Sequence, residues 1–172
     1  MRPFEQKGKK GLVVTIIGLL LVMVFGVMTS IAQEKIKKSD KKYWFTTKVE
    51  TMKVDDTEGH IIQISEAKGV DIGSGAISVS KLTSDLVKGN GTVQGYVTTR
   101  YPDGDLSFSK LQGKVVTTLS PQGKPVTTGE GTLSSIKGTG KWEGLQGEAT
   151  WKMKVIGEGI SVGDWEGEWV RK

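Results

Sequence analysis

From Glu148 to Val155 the side chains alternate without a break: Ala149, Trp151, Met153 and Val155 on one side, Glu148, Thr150, Lys152 and Lys154 on the other. A period of two marks a strand with one face buried and the other in water. The pattern returns in Trp165, Gly167 and Trp169, set against Asp164, Glu166 and Glu168. Val93 and Val97 alternate with Gln94, Thr98 and Arg100, and Ile62 and Ile64 with Gln63 and Ser65. Phe45 and Val49 share a side with Thr47 and Thr51. After residue 34 no stretch holds an apolar repeat of helical period, apart from weak support for a short helix near Ser80 to Val87.

Turn chemistry separates these runs. Asp-Gly and Asn-Gly pairs tolerate the positive φ of tight hairpins, which places turns at Pro102-Asp103-Gly104-Asp105 and Asn90-Gly91. Pro121-Gln122-Gly123, Gly138-Thr139-Gly140 and Gly157-Glu158-Gly159 read as further turns, and Asp71 to Gly75 as a Gly-rich break. Strands with turns between them and no helices point to an antiparallel barrel or sandwich. Glycines such as Gly95, Gly113, Gly129, Gly131, Gly147 and Gly167 fall inside strands, where they permit the sharp bending of a tightly coiled barrel. The expectation is therefore an all-β chain: an antiparallel closed barrel of about eight strands over residues 43–172, preceded by an N-terminal hydrophobic helix.

Residues 1–32 read separately. Arg2, Lys7, Lys9 and Lys10 precede an uncharged run from Gly11 to Ala32, which ends in the small-x-small triplet Ser30-Ile31-Ala32. That is the form of a signal peptide with a mature start at Gln33. The run is also long enough to span a bilayer, so an uncleaved N-terminal membrane anchor stands as the alternative, with membrane contact through residues 11–32. Either way the domain is expected to be exported: periplasmic, secreted, or anchored facing outside the cytoplasm. Lys35, Lys37, Lys38, Lys41 and Lys42 make residues 33–42 a Lys-rich linker, solvated or touching anionic headgroups.

Charge and composition exclude several functions. Beyond residue 32 the chain has 20 basic and 18 acidic residues, so the domain offers no basic face for nucleic acid. With no cysteine there is no disulfide, thiol nucleophile or zinc-thiolate site, and a single histidine, His60, rules out a multi-histidine metal centre. His60 opens a strand, and Glu66 on the same strand lies too far along it to act as a partner. Gly138-Thr139-Gly140-Lys141 lacks the spacing and the following Ser or Thr of a phosphate loop, because Trp142 follows. Asp103 and Asp105 flank a turn with too few oxygen ligands for calcium. No catalytic, cofactor-binding or metal-ligating residue is assigned.

The cadence Gly131-Thr132-Leu133, then Gly138-Thr139-Gly140-Lys141-Trp142-Glu143-Gly144-Leu145-Gln146-Gly147, resembles the allene oxide cyclase-like and dirigent-like β-barrel superfamily in its bacterial-type members. Asp164-Trp165-Glu166-Gly167-Glu168-Trp169 resembles the closing strand of that barrel. The resemblance implies a closed barrel, an interior cavity that takes an apolar ligand, and a homo-oligomer. The polar residues of the plant cyclases have no residue-by-residue counterpart here, so the reaction does not carry over.

Five tryptophans lie beyond residue 32, and Trp142, Trp151, Trp165 and Trp169 crowd the C-terminal part. They suit a packed core or the lining of a ligand cavity, with Tyr96, Tyr101 and Arg100 as polar handles at its mouth. The function expected is non-catalytic binding of a small apolar molecule without a cofactor. The alternatives are a structural or interaction barrel of the cell envelope, or a cyclase- or isomerase-like enzyme.

Overall fold

The computed structural model describes residues 35–171. Within them eight strands form one closed barrel in simple up-and-down order: β1 (Lys35–Lys53), β2 (His60–Asp71), β3 (Ile77–Val87), β4 (Asn90–Arg100), β5 (Leu106–Leu119), β6 (Pro125–Gly138), β7 (Leu145–Gly157) and β8 (Ile160–Arg171). The only helical element among the described residues is a 3-10 turn, Gly140–Trp142. No described helix is long and apolar enough to cross a membrane. The expected hydrophobic helix and signal or anchor segment, residues 1–32, lie outside the described residues.

Closure is made by β1, which pairs antiparallel with β2 along one edge and with β8 along the other. Closure removes the free edges that would otherwise template aggregation. It also takes in Lys35 to Lys42, the described part of the expected 33–42 linker. Lys35 to Lys42 are strand, registered opposite Val170 to Gly163 of β8. The lysines alternate with Ile36, Ser39 and Asp40 irregularly enough to hide the period of two, yet the ladder of β8 recruits them.

The interior side of each strand follows from alternation. Ala149, Trp151, Met153 and Val155 all line the interior, as the sequence pattern implied for β7. Val93 and Val97 of β4 are buried with Leu111 of β5, packed against Trp44, Leu82 and Trp151. On β2 the expected polarity is reversed: Gln63, Ser65 and Ala67 face inward with Ile61, whereas Ile64 is exposed. An interior lined by hydroxyls as well as methyls does not require the more apolar face to point inward. Residues 80–87, the candidate helix, belong to β3, whose ladders to β2 and β4 supply a partner on both sides.

Glycines inside strands make room for rings. A Cβ on Gly69 would stand 2.7 Å from Trp44 Cε3. One on Gly167 would overlap the Trp169 ring and the Ala149 methyl. The hairpin between β3 and β4 turns through Lys88 (φ 51°) and Gly89 (φ 79°), both left-handed as a two-residue type I′ turn demands. The turn therefore sits two residues earlier than the Asn90-Gly91 signal. Asn90 instead opens β4 and ties its neighbours together, its Nδ2 donating to Lys88 O and its Oδ1 accepting from Thr117 N.

His60 clamps one end of the barrel. Its Nδ1 lies 2.5 Å from Asp56 Oδ1 in the β1–β2 turn, and its Nε2 lies 2.8 Å from Asp85 Oδ1 on β3. The hydrogen bonds to Asp56 and then Asp85 raise its pKa above 6.5. A raised folded-state value means the clamp stabilises fully below the unfolded pKa and is lost as pH rises through the folded one. The melting temperature is therefore expected to fall as pH is raised from 6 through about 8, and His60→Gln should flatten that part of the profile. An unchanged slope in the variant would contradict the clamp.

Candidate functional site

The barrel encloses a cavity of about 460 Å3. Ligand pockets span roughly 300–1,000 Å3, so the space suits a small organic molecule. Its walls come from all eight strands, because each contributes alternate residues to the inside. The middle is apolar: Leu82, Val93, Leu111 and Leu133, with the rings of Trp44 and Trp151. Between these methyls stand hydroxyls, among them Ser65, Ser84, Ser109 and Ser161.

One end is closed by aromatics. Tyr101 and Trp142 stack with centroids 4.6 Å apart and planes at 17°. Trp169 meets Trp142 edge-on at 5.8 Å and Trp165 edge-on at 6.0 Å. Edge-to-face packing of this kind adds about 0.5–1.5 kcal/mol per pair beyond the area buried. The 3-10 turn carries Trp142 across this end, and Lys38 Nζ sits 4.3 Å over its ring. Burial, then the nearby Lys141 ammonium, hold the Lys38 pKa below its ordinary value. The opposite end is lined by Ile61, Gln63, Thr117, Thr127 and Val155, and no element crosses it among the described residues.

Beneath the aromatic plug lies a buried ion pair. Lys42 Nζ stands 3.1 Å from Asp71 Oδ2, and the two side chains are only 7% and 2% exposed. Lys42 also donates to Ser78 Oγ at 2.7 Å, and its Nζ lies 4.7 Å from the Trp44 ring centre. Asp71 receives a second hydrogen bond, from Trp165 Nε1 at 2.8 Å. Ser78 and Thr99 share a hydrogen bond of 2.9 Å. Burial pushes the Lys42 pKa down, and the Asp71 carboxylate opposes it without cancelling it. Tyr101, which contacts Ser107 at 3.4 Å, has its phenol pushed up to about 12, chiefly by burial. It stays protonated and neutral throughout the physiological range.

The lip of this end is also fixed. Burial pushes the Asp40 pKa upward, but the backbone N–H groups of Gly73, Ser74 and Lys41 outweigh it and hold the carboxyl below its usual value. Asp40 thus closes the β2–β3 turn onto β1. Lys141 reaches Asp103, and the Lys141 backbone N–H donates to Asp105 Oδ2 at 2.9 Å, which fastens the 3-10 turn to the β4–β5 hairpin.

The structure brings Trp142, Trp151, Trp165, Trp169 and Tyr101 together around the cavity. Tyr96 does not join them. It is 61% exposed on the outer wall, because Gly95 and Val97 take the neighbouring alternate positions on β4. Arg100 also lies outside the lining, at the exposed end of β4. Sequence reasoning missed Lys42, Asp71, Ser78 and Thr99. Lys42 was hidden among neighbouring lysines, and Asp71 resembled an ordinary turn residue. The available signal was the position of Lys42 two residues before Trp44, on the same side of a strand. Among the described residues no group of three or more His, Cys, Asp or Glu side chains could hold a metal ion.

No protein-family model matches the chain, and no curated protein matches it. Among solved structures, a pterocarpan synthase dirigent protein resembles it with a TM-score of 0.48 at 11% identity, covering 81% of this chain and 92% of its own. The barrel itself is established by the pairing of this chain's own strands.

Removing one partner of a buried ion pair strands the other. Lys42→Met is expected to lower stability by about 3–5 kcal/mol in urea unfolding, and adding Asp71→Leu should restore most of the loss. A Lys42→Met protein as stable as the parent would contradict the pairing.

Proposed function

We propose that this chain is an exported, non-catalytic barrel that holds a small, largely apolar molecule in its interior. The observation that carries the reading is the 460 Å3 cavity, plugged by aromatics at one end and lined by residues from every strand. A barrel stabilised only by side-chain packing would fill such a space, since an interior void leaves its lining without dispersion partners. Export rests on the basic n-region and uncharged run of residues 1–32.

A second reading has its own observation. On the outer wall Tyr43, Val70 and Ile77 stand directly opposite one another across β1, β2 and β3, and all three are exposed. An apolar row of that kind suits an interaction module of the cell envelope, with the barrel as its scaffold.

Nile red titration separates the two. Saturable binding with enhanced emission is expected for the parent protein. Leu82→Trp, which adds bulk to the inside of β3, should weaken it more than about tenfold. Thr83→Trp, on the outer face of the same strand, should leave it unchanged, with circular dichroism confirming both folds. No saturable binding, or equal loss in both variants, would overturn the binding reading and favour the interaction module.

A further inference from the structure

The closed end of the cavity has chemistry of its own, and it is selective in charge. Lys42 and Asp71 cancel one another whichever of them holds the proton, so the pair offers a ligand ion no net charge. Each oxygen of Asp71 is also already engaged: Lys42 takes Oδ2 and Trp165 takes Oδ1. A ligand ammonium would have to compete with both of these for the carboxylate. A ligand carboxylate would be brought beside an aspartate that is only 2% exposed and cannot move into water.

What remains unspent is donors: the buried Trp142 Nε1–H of the plug has no partner among the described residues, and hydroxyl hydrogen is left over beside it. An ammonium can only donate, so Ser78 accepts from Lys42. Ser78 is fully buried, and its own hydroxyl hydrogen has Thr99 Oγ1 at 2.9 Å to donate to. With Thr99 as acceptor, the Thr99 hydroxyl hydrogen is free to point onward. Thr99 lines the cavity, which Ser78 does not. The chain Lys42 to Ser78 to Thr99 therefore delivers one polarised donor to the cavity wall. Tyr101 lines the same end, and its O–H is engaged only at 3.4 Å, with Ser107. Both groups present donors near the self-cancelling Lys42–Asp71 pair, next to flat rings.

From this geometry we infer that the ligand is an uncharged, flat apolar molecule whose single hydrogen-bond acceptor, a carbonyl or ether oxygen, is held by the Thr99 and Tyr101 hydroxyls at the closed end. The inference rests on the binding function proposed above and narrows it to a ligand class. It requires no chemical step, because the donors hold the oxygen and transfer nothing.

The test uses four probes on one ring system: ethylnaphthalene, acetylnaphthalene, naphthoate and (aminomethyl)naphthalene, titrated calorimetrically into the protein. The ketone is expected to bind roughly two- to tenfold more tightly than the hydrocarbon, the range of one net hydrogen bond. The carboxylate and the amine should both bind more weakly than the ketone. Thr99→Val keeps the side-chain shape and should bring ketone and hydrocarbon to parity. Tyr101→Phe provides a second variant, with the ketone preference reduced, should Thr99→Val not fold. Equal binding of ketone and hydrocarbon, or tightest binding of either ion, overturns the ligand class while leaving a binding cavity in place. Failure of all four probes to bind removes the binding reading along with it.

Discussion

The structure depends on one closure, the pairing of β1 with both β2 and β8. Without it β2 and β8 would be open edges, and alternate residues of eight strands would have no common inside. Closure converts a period of two into an enclosed volume: everything odd or even along a strand becomes wall, and the rest becomes surface. The first strand is also the least strand-like in sequence, with Lys35, Lys37, Lys38, Lys41 and Lys42 in its opening half. The ladder of β8 and the ion pair of Lys35 with Glu168 hold that half in place. The ion pair is exposed and adds little by itself, so the backbone ladder carries most of the constraint.

Closure explains the glycines and the tryptophans together. A small barrel brings backbone close to backbone on its inner side, and a large ring fits only where its neighbour has no Cβ. Trp44 lies over Gly69, and the Trp169 ring covers Gly167. The rings then close one end of the barrel and leave the middle open. A fully packed interior would have used those same tryptophans as core. Here Trp142 and Trp169 are core at the plugged end, while Trp44 and Trp151 line the open volume beneath it.

The fold was legible where strands are half-buried in the ordinary way. β7 and β8 declare their inner face through Ala149, Trp151, Met153, Trp165 and Trp169, and the turns at Gly104, Gly123 and Gly159 fall where the glycines place them. Legibility failed where the interior is polar. On β2 the inner face carries Gln63 and Ser65 and the outer face Ile64, so hydropathy pointed the wrong way. It failed again at the site. Lys42 and Asp71 are 29 positions apart and become neighbours only because β1 and β2 pair, with Lys42 opposite Asp71 in register. A lysine in a run of lysines and an aspartate at a turn each look solvated until the register is known. Tyr96 and Tyr101 show the same limit: both looked like polar handles, but one side of β4 is outside and only Tyr101, past its end, turns inward.

The central claim is that the inside of this barrel, and not its outside, receives a guest. Methyl-resolved NMR with an uncharged aromatic probe tests it most directly. Resonances of Leu82, Val93 and Leu111, which face the cavity, should shift together and saturably, while those of Ile64, Ile77 and Val79 on the outer wall stay in place. Shifts confined to the outer methyls would contradict the account.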